Sequence, residues 1–438
     1  MSDTNTLTYV RKEMLPEQAP PSSQIGVVRW VQENLFSGIL NSVLTILSIL
    51  AVIWIVLSIG PWLMSSIWNS GSLSECREIL AAAGAVTEHG TSGACWGVIK
   101  ERWPQLMFGF YPSELYWRPT VTFLLMIVAI APVLFPSVPR KVLWFSLAYP
   151  FLAFFLLWGG SIWVPITAAL GFGLGYAALA GLASFGTLYS TAAAVIVPVL
   201  YWLYGWAPLS DGLTAIMPIA IEQVSTSDFG GFTLSIIIGL SGIALSLPLG
   251  ILFALGRQSN MLLIKTISVV FIEFVRGVPL ITLLFTASLL LNYFLPPGTN
   301  FDLILRVIIM VTLFATAYIA EVIRGGLAAL PRGQYEAADA LGLDYWRAQR
   351  LIIMPQALKI SIPGIVNTFI GLFKDTTLVV FIGLMDPIGL ASAIRANSAW
   401  QGIYWELFIF IGAVFWIICF SMSRYSMHLE RRLKTDHK

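Results

Sequence analysis

The chain alternates long apolar runs with short polar joints. Each run is about 20 residues long, the length a helix needs to cross the hydrocarbon core of a bilayer. Ten such runs are read, starting near Ile39, Thr120, Val142, Ile162, Thr187, Phe232, Leu280, Leu303, Ile360 and Ile403. Residues 162–204 are apolar but Gly-rich, with Pro165 and Pro198, and fit either two spans or a span with a re-entrant piece. The first 35 residues are polar, carry Pro16, Pro20 and Pro21, and read as a disordered tail with no cleavable signal peptide.

Composition fixes the solvent. Of 438 residues, 57% are hydrophobic and 11% charged, and the mean hydropathy is +0.81. Soluble domains carry about 25% charged residues, so lipid must cover much of this surface. The 16 Trp, 27 Phe and 14 Tyr suit aromatic belts at both membrane interfaces. The net charge of +2 comes with no clustered basic face, which argues against a nucleic-acid partner.

Positive charge orients the spans. Arg29 precedes the first span, Arg140 and Lys141 join the second to the third, and Arg257 and Lys265 follow the sixth. Arg324, Arg332, Arg347, Arg350 and Lys359 lie between the eighth and ninth, and Arg424, Arg431 and Arg432 follow the tenth. With ten spans all these segments share one side, which is then cytoplasmic together with both termini. Arg77, Lys100, Arg102 and Arg118 are the exceptions, and most belong to one long polar insert, where the rule is weaker. Cys76 and Cys95 lie in that insert. If it is periplasmic, a disulfide between them is chemically permitted, although spacing fixes no geometry. Cys419, in an apolar run, reads as an inert core residue.

The informative residues lie after about Ser225. Residues 333–358 read GQYEAADALGLDYWRAQRLIIMPQAL. Pro331 suits a helix start. Glu336, Ala337 and Ala338 favour helix and leave room for a partner surface. Gly342 suits a helix end and Asp344 the cap of a second helix. Pro355 marks the return towards the membrane. This loop reads as two short helices joined by a sharp turn on the cytoplasmic side.

The matching residues Glu336, Ala337, Ala338, Gly342 and Pro355 resemble the EAA loop of ABC importer permeases, with Met354 where the family often has Leu. Three further segments resemble polar amino acid permeases: Phe271–Leu280 (FIEFVRGVPL), Ala317–Gly326 (AYIAEVIRGG) and Phe373–Leu378 (FKDTTL). The four motifs cover about 200 residues. The chain's length, its N-terminal extension and the GACW segment (Gly93 to Trp96) resemble the larger permeases of general L-amino-acid importers.

The resemblance implies an all-α polytopic protein with a type I importer core of five spans. The expected division is a cytoplasmic tail (1–36), a transmembrane extension (37–225) with a periplasmic insert at about 65–117, a permease core (226–425) with the EAA loop at about 331–358, and a basic tail (426–438). It also implies partners: a cytoplasmic ATPase dimer that the loop engages, a second homologous permease (a heterodimer favoured over a homodimer), and a periplasmic binding protein that delivers the amino acid. The chain has no GxxxxGK[ST] phosphate loop, so ATP and magnesium are expected in the partner ATPase and no cofactor in this chain. His89, His428 and His437 are scattered, so no metal site or catalytic triad is read.

Charges within spans are candidates for function because lipid penalises them. Lys374 and Asp375, with Thr376 and Thr377 beside them, offer partners for a zwitterion's carboxylate and ammonium. Thr368 lies seven residues before Asp375, about two turns away on one face. Relatives often have an acid at that position, so its absence argues against a site tuned for cationic side chains. The alternative is an ion pair that fixes a helix break. Glu273 and Arg276, and likewise Glu321 and Arg324, stand three apart and can pair along a helix at the cytoplasmic ends. They are read as ion pairs of the gate region rather than as substrate contacts. Two rival readings are an ion-driven transporter, which leaves the EAA loop unexplained, and a non-transporting membrane scaffold.

Overall fold

In a computed structural model the described residues are 26–87, 90–91, 93–290, 293 and 302–433. The tail before residue 26, the last five residues, His89 and His437 lie outside them.

The described residues fall into two compact units. One holds the residues up to Trp68 together with Ser74–Trp96. Its helices are α1 (Val27–Asn34), α2 (Ile39–Met64) and α3 (Leu73–Ala82, whose first residue belongs to the other unit). Helix α1 falls within the segment read as a tail. The span α2 buries none of its residues, as expected of a helix solvated by lipid. Cys76 and Cys95 are joined by a disulfide. Both are buried, as are Leu80, one helical turn on from Cys76, and Ala94, which precedes Cys95. Trp96 stacks on Trp68 with ring centroids 5.7 Å apart.

The second unit runs from Gly97 onwards with Asn69–Leu73. It begins with α4 (Gly97–Phe108), α5 (Trp117–Leu134), α6 (Leu143–Trp158), α7 (Trp163–Gly181), α8 (Thr187–Leu200) and α9 (Trp206–Ile216). Pro198 does not end α8, because a π-turn over Tyr201–Gly205 carries the helix on into α9. Residues 162–204 are thus two spans with no re-entrant piece. Buried Arg118 donates to the Glu222 carbonyl at 2.6 Å, and Tyr111 donates to the Leu157 carbonyl at 2.7 Å. The first bond ties the start of α5 to the segment before the core, and the second ties the residues before α5 to the end of α6. Burial also raises the pKa of the Tyr111 phenol.

The core comprises α10 (Gly231–Gln258), α11 (Leu262–Gly277), α12 (Leu280–Phe285), α13 (Leu303–Ala328), α14 (Arg332–Ala340), α15 (Tyr345–Ala348), α16 (Met354–Asp375), α17 (Pro387–Ala396) and α18 (Trp405–Leu433). Helices α10 and α13 pack closely because α10 carries glycines at the contact. A methyl added to Gly250 would meet Ile319 Cγ2 at 2.5 Å.

Nine helices are long and apolar enough to cross a membrane among the described residues, or ten with one broken pair. That pair corrects the seventh span. Residues 262–277 read as a joint, yet they form α11, which meets the α12 segment (Leu280–Leu290) at a bend of 104°. The bend falls at Val278–Pro279, where proline's lack of an N–H and its clash with the preceding turn stop the helix. The ninth span also differs: Tyr345 to Ile382 is one helical run of 38 residues.

Candidate functional site

The loop over residues 331–355 is built as a pair of helices around one turn. Pro331 starts α14. At its other end Gly342 adopts φ +69°, a region glycine enters without penalty. The Gly342 N–H donates to the Asp339 carbonyl at 2.9 Å, and the Leu343 N–H donates to the Ala338 carbonyl at 3.2 Å. This pattern satisfies the last carbonyls of α14. Asp344 then caps α15, accepting from the Arg347 N–H at 3.1 Å.

Glu336, Ala337, Gly342 and Pro355 are exposed, but Ala338 is 1% exposed. Its small side chain therefore allows α14 to pack on the protein itself. Pro355 does not break the chain's path. A π-turn over Gln349–Ile353 joins α15 to α16, and the proline sits in the first turn of α16, where no partner for its missing N–H is required. Gln356 donates to Gln334 at 3.1 Å, which holds the loop against the span. Tyr335 packs on an apolar cluster that includes Ile272, Ile323, Ile353 and Ala357, and burial raises the pKa of its phenol. The loop is therefore continuous with the cores of α11, α13 and α16. Its outer side exposes Leu341, Tyr345 and Trp346.

Of the two pairs that spacing suggested, Glu321–Arg324 forms and Glu273–Arg276 does not. Glu321 is a hub. Arg324 binds it through Nε at 2.9 and 3.0 Å and through its terminal nitrogen at 2.6 Å. Arg257 reaches it at 3.1 Å and Arg276 at 3.8 Å. Glu273 pairs with Arg257 at 2.8 Å rather than with Arg276. Arg276 instead leans towards the Tyr318 ring, 5.7 Å from its centroid. Sequence spacing identifies neighbours along one helix only. Arg257, on α10, bridges carboxylates of α11 and α13, and spacing within one helix gave no signal for it.

The span candidates cluster at the top of α16. Thr376 is fully buried. Its hydroxyl donates to the Phe373 carbonyl at 2.7 Å, that of Thr377 to Lys374 at 2.9 Å and that of Thr368 to Gly364 at 2.9 Å. All three hydroxyls thus serve their own helix, which tightens after Asp375 into a 3-10 turn over Thr376–Ile382. Thr376 is no part of an accessible path in this conformation. Lys374 is exposed and Asp375 half-buried. Asn367, two turns before Lys374, is exposed as well.

Residues 246–435 match the family described as binding-protein-dependent transport system inner membrane component. The glutamate/glutamine/aspartate/asparagine transport system permease protein BztC of Rhodobacter capsulatus is 59% identical, covering 100% of both chains. The inner membrane amino-acid ABC transporter permease protein YhdY of Escherichia coli K12 is 38% identical, covering 98% of this chain and 99% of its own. This chain belongs to the amino-acid ABC transporter permeases. As such a permease it is a multi-pass protein of the inner membrane and a subunit of an amino-acid importer. Among solved structures, one described as an amino acid ABC transporter with histidines is 30% identical to the permease, covering 45% of this chain and 90% of that one, with a TM-score of 0.41.

Proposed function

We propose that this permease moves L-amino acids inward by alternating access, driven by a separate ATPase dimer that grips residues 333–358. The exposed, capped turn at Gly342 carries this reading. A water-facing loop that displays Leu341, Tyr345 and Trp346 is poorly matched to solvent and well matched to a partner's groove. The sidedness of Lys and Arg supports a cytoplasmic location for the loop and both termini. ATP and magnesium belong to the ATPase, because this sequence has no phosphate loop. The pore is completed by a second homologous permease, with a heterodimer favoured, and substrate arrives from a periplasmic binding protein. The full-length relative named for glutamate, glutamine, aspartate and asparagine makes polar and acidic amino acids the first substrates to test.

Closure of the ATPase pair pushes on α14 and α15. The apolar cluster around Ile323 and Ile353 and the salt links at Glu321 pass that push to α10, α11 and α13. Glu336→Lys reverses an exposed charge, and Gly342→Asp forces a side chain into a strained backbone conformation. Both variants are expected to insert and fold in the membrane yet lose the co-purifying ATPase. An ATPase that remains bound and fully coupled in both variants refutes the assignment of this loop.

A further inference from the structure

Helix α1 (Val27–Asn34) divides its side chains between two faces. Val27, Trp30 and Val31 follow the i, i+3, i+4 spacing of one stripe, which Leu35 extends by a turn and Val28 flanks. Arg29, Gln32 and Glu33 lie on the opposite face. No residue of α1 is buried in the protein, and Val27 is 77% exposed and Trp30 58%. Water solvates such a patch poorly, so it calls for an apolar cover. Tryptophan in particular favours membrane interfaces.

The link to the first span shows what supplies that cover. Residues 35–38 join α1 to α2, and side chains fix the corner. The Thr45 hydroxyl donates to the Leu35 carbonyl at 2.7 Å, and the Asn41 amide donates to the Ser37 hydroxyl at 2.7 Å. The Leu35 N–H donates to the Val31 carbonyl at 2.9 Å, so the corner is continuous with α1. Thr45 stands about 9 Å along the axis from the start of α2. The 26 residues of α2 are about 39 Å long, against about 30 Å of hydrocarbon. Centred in the bilayer, α2 overshoots by about 4–5 Å at each end, which leaves Thr45 just inside the hydrocarbon. The last turn of α1 is therefore held where headgroups meet acyl chains. Helix α2 buries none of its residues either, so a lipid-facing surface begins directly beyond the corner.

Charge supplies little of the attraction. Arg29 pairs with Glu33 at 2.7 Å, and the two leave α1 with no net charge. A helix held by anionic headgroups carries several Lys or Arg on its polar face instead.

We infer that α1 is an interfacial helix whose partner is the lipid surface, with Val27, Trp30 and Val31 inserted and Arg29, Gln32 and Glu33 in water, held by apolar burial rather than by headgroup charge. This gives the permease a membrane contact separate from its spans and independent of transport.

The test is a depth measurement with nitroxide labels on the full-length permease in vesicles. Val27→Cys, Arg29→Cys, Val31→Cys, Gln32→Cys and Glu33→Cys are labelled one at a time on a Cys419→Ser background that keeps the Cys76–Cys95 disulfide. Leu47→Cys, at an exposed position of α2, reports insertion of the span. Collisions with oxygen, which concentrates in lipid, are compared with those of a water-soluble nickel chelate. Labels at positions 27 and 31 should read about 5–10 Å into the boundary between headgroups and acyl chains, and labels at 29, 32 and 33 should favour nickel. The pattern should be the same in phosphatidylcholine vesicles and in vesicles with phosphatidylglycerol added. Adding Trp30→Glu should shift the label at position 27 towards water, with a severalfold rise in its ratio of nickel to oxygen collisions. Nickel access at all five positions, in a permease whose Leu47 label is in lipid, overturns the inference. Low collision with both reagents at 27 and 31 also overturns it, because a protein then covers the stripe. A stripe that inserts only when phosphatidylglycerol is present overturns the charge-independent mode of binding.

Discussion

Glu321→Gln is a sharp test of how the charged ends of α10, α11 and α13 are held together. Glu321 receives Arg324, Arg257 and Arg276, at 2.6, 3.1 and 3.8 Å for their closest ion-pair contacts. With Glu273 the cluster holds three cations and two anions. Removing the carboxylate charge leaves three guanidinium groups facing one remaining anion. The side chain of Glu321 is 23% exposed and that of Arg257 22%, so water screens the loss only in part. Exposed pairs contribute about 0–1 kcal/mol, and breaking a buried pair costs about 3–5 kcal/mol. The expected cost here lies between, at about 2 kcal/mol. Thermal unfolding in nanodiscs should show a midpoint lowered by several degrees. A double-mutant cycle with Arg257→Gln should return an interaction energy of about 1 kcal/mol, since the two residues touch. Assembled importers carrying Arg257→Gln should hydrolyse ATP with less stimulation by substrate, because α10 is no longer pinned to α11 and α13. An unchanged midpoint together with a cycle energy near zero refutes the hub.

Three more outcomes are expected. Asp386 caps α17 by accepting from the Gly389 N–H at 2.8 Å, is fully buried, and has its pKa pushed up from 3.8 to about 6 by burial. A raised folded-state pKa means that its contribution is full below about pH 4 and is lost as pH rises through about 6; Asp386→Asn, which keeps a capping oxygen, should flatten that part of the stability profile, and an unchanged profile counts against it. The disulfide between Cys76 and Cys95 closes a separation of 19 residues, which is worth about 3 kcal/mol in a chain-entropy account; reduction or Cys95→Ser should expose the Leu80 region to proteolysis, and equal resistance in both states would refute a stapling role. Gly250→Val places carbon 2.5 Å from Ile319 Cγ2, so the α10–α13 contact should open at a cost of about 1–3 kcal/mol, read as lower thermal stability than in Gly212→Val, where nothing lies within 4 Å.

Much of the architecture was legible because lipid makes a simple demand: about 20 apolar residues per crossing. Nine of the ten runs correspond to single continuous helices. The bend between α11 and α12 was not legible, because Glu273 and Arg276 make α11 look like a polar joint while Leu263, Ile267 and Phe274 are exposed on its other side. The turn at Gly342 was readable from local chemistry alone, since capping depends on residues a few positions apart. The pairing of Glu273 with Arg257 was not, because it joins two different helices. Ala338 illustrates the same limit. A small residue announces a close approach, but the sequence does not say whether a partner or the protein's own body approaches.

The central claim is tested most directly by uptake of labelled glutamate, glutamine, aspartate and asparagine into proteoliposomes that hold this permease with its companion permease, ATPase and binding protein. Uptake that requires internal or external ATP on the ATPase side and the binding protein on the other is the predicted result. Uptake that proceeds without ATP when an ion gradient is imposed contradicts it.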